Sequence, residues 1–223
     1  MSLAPALAFL TDLRANNTTE WFRAHRPAYE AARATWLAFI RQLHQGLLPS
    51  DPLLRDLDPA KALFRINRDI RFSHDKSPYK VHFGAVLAPG GTKDPGPVYY
   101  VHLEPGDRSG LAGGIWQPLP DHLKRIRQEI DYDAATLRSI LTTPAFRQTF
   151  GTSFFEGDAL KRIPTGYPLD HPAADLLRLK SFTGWHPVPD AQATDPAFAS
   201  AAVDTFHHLQ PLLTWLRTAI TPG

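Results

Sequence analysis

Apolar residues recur at helical spacing through the first 47 positions. Leu7, Leu10 and Leu13 share one face that Asn16-Asn17 closes. Asn17, with Glu20 three residues later, reads as a capping pair for a short turn carrying Trp21 and Phe22. Tyr29, Trp36, Phe39, Ile40 and Leu43 then line a longer helix, opened by Pro27 and stopped by Gly46 and Pro49. Residues 49–62, rich in Asp and Pro, read as a loop. The period next changes to two. Phe64, Ile66, Ile70 and Phe72 alternate with Arg65, Asn67, Asp69 and Arg71, which predicts a strand with one buried face. Residues 81–87 and 98–103 predict an antiparallel pair across the turn-rich stretch 89–97, and the Gly-rich stretch 109–116 returns as another strand. Helical spacing resumes after Pro120, with further starts at Asp133 and Thr143. An irregular stretch follows over 151–170, then a short helix from His171-Pro172, a further strand over 179–188 and a last helix from Asp195-Pro196. Helices, a block of strands, then helices predict one α+β domain over residues 1–223. Its mainly antiparallel sheet (about residues 62–116, with 179–188) is packed by the N- and C-terminal helices.

Composition narrows the class. At 43% hydrophobic residues in a 223-residue chain, a packed core is expected and disorder is not. Cysteine is absent, so disulfides, thiolate zinc sites and cysteine nucleophiles are excluded. No apolar run approaches ~20 residues, so no membrane partner is expected. The apolar stretch 3–10 lacks the basic start of a secretion signal, and a cytoplasmic location is the expectation.

Net charge is only +2, but its distribution is uneven. Lys61, Arg65, Arg68, Arg71, Lys76 and Lys80 face only Asp69 and Asp75 within residues 61–80. The positive field is therefore local.

Familiar chemistry is mostly missing. Gly90-Gly91-Thr92-Lys93 lacks the spacing of a phosphate loop and joins two strands, so it reads as a turn. Ser73-His74-Asp75 holds the residue types of a hydrolytic triad, but adjacent side chains project in different directions. Among the ten histidines, His82 and His102 approach each other across the antiparallel pair. Two ligands do not make a metal site, and none is expected. No cofactor is implied.

The segment that stands out is LFRINRDIRFSHDKSPYK, residues 63–80. By alternation Arg68 points with Phe64, Ile66, Ile70 and Phe72 toward the core. A buried guanidinium costs several kcal/mol unless a carboxylate, a bulge or a ligand anion meets it. Lys76, Tyr79 and Lys80 follow, with Pro78 stiffening the turn. Such a cluster suits a phosphate or carboxylate, each charge-assisted hydrogen bond contributing ~1.5–3 kcal/mol. Solvated arginines with local Asp partners are the alternative.

The same stretch, read as R-I-x-R-D-x-R-F-S-x-D-K-x-P-Y-K, resembles the signature of an uncharacterised bacterial and fungal family known only as a domain of unknown function, number twenty-four sixty-one. Phe9-Leu10 through Asn16-Asn17 to Trp21-Phe22 and Tyr29 resembles its opening. Gly113-Gly114-Ile115-Trp116 resembles its Gly-rich strand. Leu160 to Tyr167, His171-Pro172 and Leu177 to Phe182 resemble its later motif. The resemblance implies a soluble, mostly bacterial, single-domain protein and carries no activity or cofactor. It also marks three separated segments rich in Arg, Lys and Gly. Gly113 and Gly114 are candidates for close approach by a backbone or ligand. Lys161, Arg162 and Lys180 are candidates to extend a positive pocket.

The leading expectation is a pocket for a small anionic ligand, with charge from Arg65, Arg68, Arg71, Lys76 and Lys80. Asp69 and Asp75 would orient the cations or supply a general base, and Tyr79 would donate a hydrogen bond. Whether chemistry follows binding stays open. Nucleic-acid binding through the same face ranks lower, because net charge is small and no stacking platform is evident. An interaction scaffold with structural arginines is the third reading. Neither substrate nor oligomeric state follows from the residues.

Overall fold

The computed structural model describes residues 2–151 and 159–222. In chain order its elements are α1 (Ala4–Ala15), α2 (Thr19–Ala24), α3 (Arg26–Leu47), β1 (Phe83–Leu87), β2 (Val98–Leu103), β3 (Ser109–Ile115), α4 (Pro120–Leu141), α5 (Pro144–Phe150), α6 (Ala174–Leu177), β4 (Phe182–Val188), α7 (Asp190–Ala193) and α8 (Phe198–Ile220). The strands form one antiparallel sheet in the order β1-β2-β3-β4, so the fold is α+β as expected. Among the described residues no helix is long and apolar enough to cross a membrane. Part of the irregular stretch expected at 151–170, residues 152–158, lies outside the described residues.

The chain forms two compact units that interleave along the sequence. The first holds Met1–Thr92, Tyr100–Leu111 and Pro187–Asp204; the second holds Lys93–Tyr99, Ala112–His186 and Thr205–Gly223.

In the first unit α1 buries Leu7, Phe9, Leu10 and Leu13, and α3 buries Trp36, Phe39, Ile40 and Leu43. Those positions are the ones the 3.6-residue period marks. Phe9 meets the rings of Tyr29, Phe22 and Phe83 at 5.7, 6.3 and 6.5 Å. Burial of each such side chain contributes ~1.5–3 kcal/mol. The cap of α2 is Thr18, whose hydroxyl accepts from the Trp21 amide at 3.2 Å, rather than Asn17. Asn17 is instead turned toward Tyr79. Its side-chain amide donates to the Tyr79 carbonyl at 3.0 Å, and its side-chain oxygen accepts from the Tyr79 N–H at 3.2 Å.

In the second unit Ile126, Ile130 and Leu137 of α4 are buried, with Phe146, Phe182 and Leu209. Tyr99 and Phe206 meet edge to face at 5.1 Å. The expected start at Asp133 is a break within α4, where the Asp133 carboxylate accepts from the amides of Ala135 and Thr136. Arg127 donates to the carbonyls of Leu177 and Leu179 at 2.9 and 3.1 Å, holding the end of α6.

The strand expected over 64–72 is absent. Leu63 bridges Ala85 and Asn67 bridges Tyr79, each singly, and the ladder stops there. Ile66 alone of the four alternating apolar residues is buried; Phe72 is 93% exposed. The reason is local competition for the backbone. Asp69 accepts from the Arg71 amide, and Asp75 accepts from the Ser77 amide at 2.9 Å. Such Asx turns take the backbone groups that a longer ladder requires.

Candidate functional site

Residues 64–80 form a short, irregular antiparallel ribbon. Arg68 N–H donates to the Pro78 carbonyl at 2.9 Å and Lys80 N–H to the Ile66 carbonyl at 2.8 Å. Its foot is fixed by Tyr79, 7% exposed and stacked on Phe22 at 4.0 Å. Arg68 does not enter the core. Its side chain is 25% exposed, and the guanidinium pairs with Asp75 and donates to the Ser73 hydroxyl at 3.3 Å. Ser77, through its hydroxyl and its amide, and then Arg68 hold the Asp75 carboxyl well below the usual carboxylate range.

Beside the ribbon foot lies a recess of about 410 Å³ lined by Arg14, Asn17, Arg68, Asp75, Tyr79, Lys80 and His82, among others. That volume is in the range of small-molecule sites. Lys80 is half-buried. Burial, reinforced by the charge of Arg65, lowers its pKa. Its ammonium lies 5.5 Å from the Phe64 ring centroid, and among the described residues no carboxylate pairs with it. Arg14 donates through Nη2 to Glu104 Oε1 and to the Pro105 carbonyl, both at 3.1 Å, while its buried Nε has no hydrogen-bond partner among the described residues.

A second group of polar side chains comes from β2. Alternation sends Tyr99, Val101 and Leu103 into the core, so Tyr100, His102 and Glu104 follow one another along the opposite face. Tyr100 donates its hydroxyl to His102 Nδ1 at 3.0 Å, and His102 Nε2 donates to Glu104 Oε2 at 2.8 Å. The carboxylate fixes this tautomer, because it only accepts. Arg108 Nε adds a contact to Glu104 Oε1 at 3.0 Å, beside that of Arg14. Ser109 Oγ accepts from the Glu104 amide at 3.0 Å, which secures the backbone where β2 ends.

His82 stands just before β1, with its ring centroid 4.4 Å from that of His102. Burial, with the neighbouring His102 and Lys80, pushes His82 down to about 4, so its imidazole is uncharged at neutral pH. Burial likewise pushes the Tyr100 phenol up to about 12, with the Glu104 charge adding to it. Gly84 keeps this corner open: a Cβ there would lie 3.1 Å from the Tyr100 hydroxyl and 3.2 Å from the Phe64 ring.

The sequence-derived candidates divide unevenly. Arg68, Asp75, Tyr79 and Lys80 line the recess. Arg65, Arg71 and Lys76 are not among its lining residues and are exposed. Arg71 is paired to Asp69, and Lys76 donates to the Ile70 carbonyl at 3.0 Å. Asp69 is committed to Arg71 in turn. Tyr79 contributes packing and its backbone. Gly113 and Gly114, in the second unit, face protein rather than open space. A Cβ at Gly113 would sit 2.1 Å from Leu209, and one at Gly114, where φ is +122°, would sit 1.9 Å from the Phe182 carbonyl oxygen. They are required by close packing. Lys161, Arg162 and Lys180 are exposed in the second unit and line no part of this recess. A larger recess of about 700 Å³ in that unit is lined by Asp121, Lys124, Arg125 and Glu129 on α4. Its two acidic and two basic side chains balance.

Sequence reasoning missed Arg14 and Glu104. The His-x-Glu spacing at 102–104 carries the signal for Glu104, because residues two apart in a strand share a face, but Glu104 lies one residue past the end of β2. Nothing near Arg14 in the sequence marks it.

Fold and side chains together define an α+β protein with a recess lined by Arg14, Arg68, Asp75 and Lys80 and, along β2, a Tyr–His–Glu row. Residues 5–215 match the family DUF2461, a conserved hypothetical protein, and the chain belongs to that family. It is the family that the motifs over 63–80, 113–116 and 160–182 resemble. No curated protein and no solved structure matches the chain.

Proposed function

We propose that the protein binds a small anionic ligand, bearing a phosphate or carboxylate group, in the recess of Arg14, Arg68 and Lys80. The observation that carries this reading is half-buried Lys80, which lines the recess and has no carboxylate partner among the described residues. The charge balance supports it. Of the charged side chains lining the recess, Arg14, Arg68 and Lys80 stand against Asp75, three cations to one carboxylate, with Arg14 also paired to Glu104. An anion would relieve repulsion that the protein leaves uncompensated. The reading takes the bacterial cytoplasm as its setting. The Tyr100–His102–Glu104 row gives it a proton donor and acceptor should a reaction follow binding.

The test is calorimetry with inorganic phosphate, acetate and a sugar phosphate. Binding is expected for at least one. Lys80→Ala should weaken it about tenfold or more, the value of one charge-assisted hydrogen bond. No heat with any probe, or affinity unchanged in Lys80→Ala with the fold intact by circular dichroism, overturns the reading.

One observation favours a second reading, contact with single-stranded nucleic acid through the ribbon tip. Phe72 is 93% exposed, with the Arg71 guanidinium 5.9 Å from its ring centroid, and this supplies the stacking surface that the sequence did not disclose. Salt-sensitive retention of an oligonucleotide, lost in Phe72→Ala, would support it; no retention at low ionic strength would reject it.

A further inference from the structure

We propose that His82, His102 and Glu104 form a binding site for one divalent first-row transition-metal ion of the Zn²⁺ class. One candidate donor atom from each residue lies within 4.8 Å of the other two, and all three residues are partly buried. His102 Nε2 and Glu104 Oε2 are already 2.8 Å apart. Two donors held at ~2.0–2.1 Å by one ion sit ~3 Å from each other, so this pair has nearly the separation that coordination requires. The remaining adjustment is to draw the His82 donor, within 4.8 Å of the other two, onto the ion.

The surroundings are those of a supported site. Metal-bound imidazoles are oriented by a hydrogen bond at the other ring nitrogen, and His102 has Tyr100 there at 3.0 Å. In the empty site the Tyr100 hydroxyl donates to Nδ1. An ion taking Nε2 requires the other tautomer of neutral His102: the proton now on Nε2 is transferred through solvent to Nδ1, and Nδ1–H then donates to the Tyr100 oxygen, so His102 itself releases no net proton. Glu104 is steered through its other oxygen, Oε1, by Arg14 and Arg108, which leaves Oε2 for the ion.

Two imidazoles and one carboxylate select against Mg²⁺ and Ca²⁺, which prefer all-oxygen ligands. Three protein donors leave at least one coordination position open, the arrangement of catalytic rather than structural zinc sites. His82 also lines the basic recess, so the open position adjoins it. The ion, with Arg14 and Arg108 nearby, would add strong attraction for an anion. The site stands on its own donors and does not depend on the anion reading.

The experiment uses the full chain, stripped with chelator, and Zn²⁺ alone in a buffer without phosphate or carboxylate, so that its failure is separate from failure of anion binding. Isothermal calorimetry and equilibrium dialysis should give one ion per chain. His82→Asn and His102→Asn should each weaken binding about a hundredfold or more, Glu104→Gln similarly, and Tyr100→Phe by about tenfold, as loss of an outer hydrogen bond does. Circular dichroism establishes that each variant is folded. His82→Asn precedes β1, which keeps the test available if the β2 variants fail to fold. Co²⁺ substitution should give the intense visible bands of a four- or five-coordinate ion, lost in His82→Asn. Absence of stoichiometric binding in the wild type, or binding unchanged in folded His82→Asn and so held elsewhere among the ten histidines, overturns the proposal.

Discussion

The ribbon tip and the β2 row lie in the same unit and hold opposite kinds of polarity. Residues 68–77 concentrate charge along the sequence but spend it internally: Arg71 pairs with Asp69 and Arg68 with Asp75. Residues 100–104 carry one carboxylate and one histidine, yet that carboxylate, only 16% exposed, gathers Arg14, His102 and Arg108. Charge density in a sequence therefore locates a solvated hairpin as readily as a site. Burial is what raises the consequence of each polar group, because an unmatched charge in low dielectric is costly whereas one in water is not.

Substitutions should separate the two regions sharply. Glu104→Ala leaves two arginines and a histidine facing each other, and should lower unfolding free energy by about 2–4 kcal/mol, read from urea denaturation. Tyr100→Phe removes a single partly buried hydrogen bond and should cost about 1 kcal/mol in the same assay. At the tip, Phe72→Ala should change stability by no more than about 0.5 kcal/mol. Arg71→Ala, which removes a solvent-exposed pair, should leave the thermal midpoint unmoved. A large loss at Phe72 or none at Glu104 would reverse the comparison. The smallest effect is local and depends on pH. Asp75 has a depressed native pKa, so its contribution is complete above the unfolded value of ~3.9 and disappears only as pH falls through the lower native one. The protection of the Ser77 amide, its exchange rate relative to the intrinsic rate at the same pH, should hold at pH 4 and fall below it; a fall already at pH 5 would contradict this assignment.

The long helices were legible because each keeps one period over several turns, and β2 because it alternates; β1 and β3, buried at every position, were marked by the turns that bound them, and the single-turn α7 was not expected. The interval 98–103 is a strand with its expected bounds, since Tyr99, Val101 and Leu103 are buried in strict alternation. The same rule failed over 64–72, where Asp69 and Asp75 bind backbone amides and end the ladder. The site was half legible. Lys80 and Arg68 were visible in the basic run, and His82 and His102 in the antiparallel pairing. Arg14 enters only through tertiary packing of α1, which no local spacing encodes. Gly113 and Gly114 were noticed for a good reason, their intolerance of a side chain, but the neighbour that requires it is Leu209 for one and the Phe182 backbone for the other.

The twin contacts of Asn17 have an implication for behaviour in solution. In the Asn67–Tyr79 bridge the ladder bonds belong to the flanking residues, so the N–H and C=O of Tyr79 point outward, where another polypeptide would otherwise add itself. A side-chain amide supplies that pairing from within the chain, and an extended edge that invites aggregation is closed off. The first symptom of losing Asn17 should accordingly be self-association at high protein concentration, before any loss of helix is measurable.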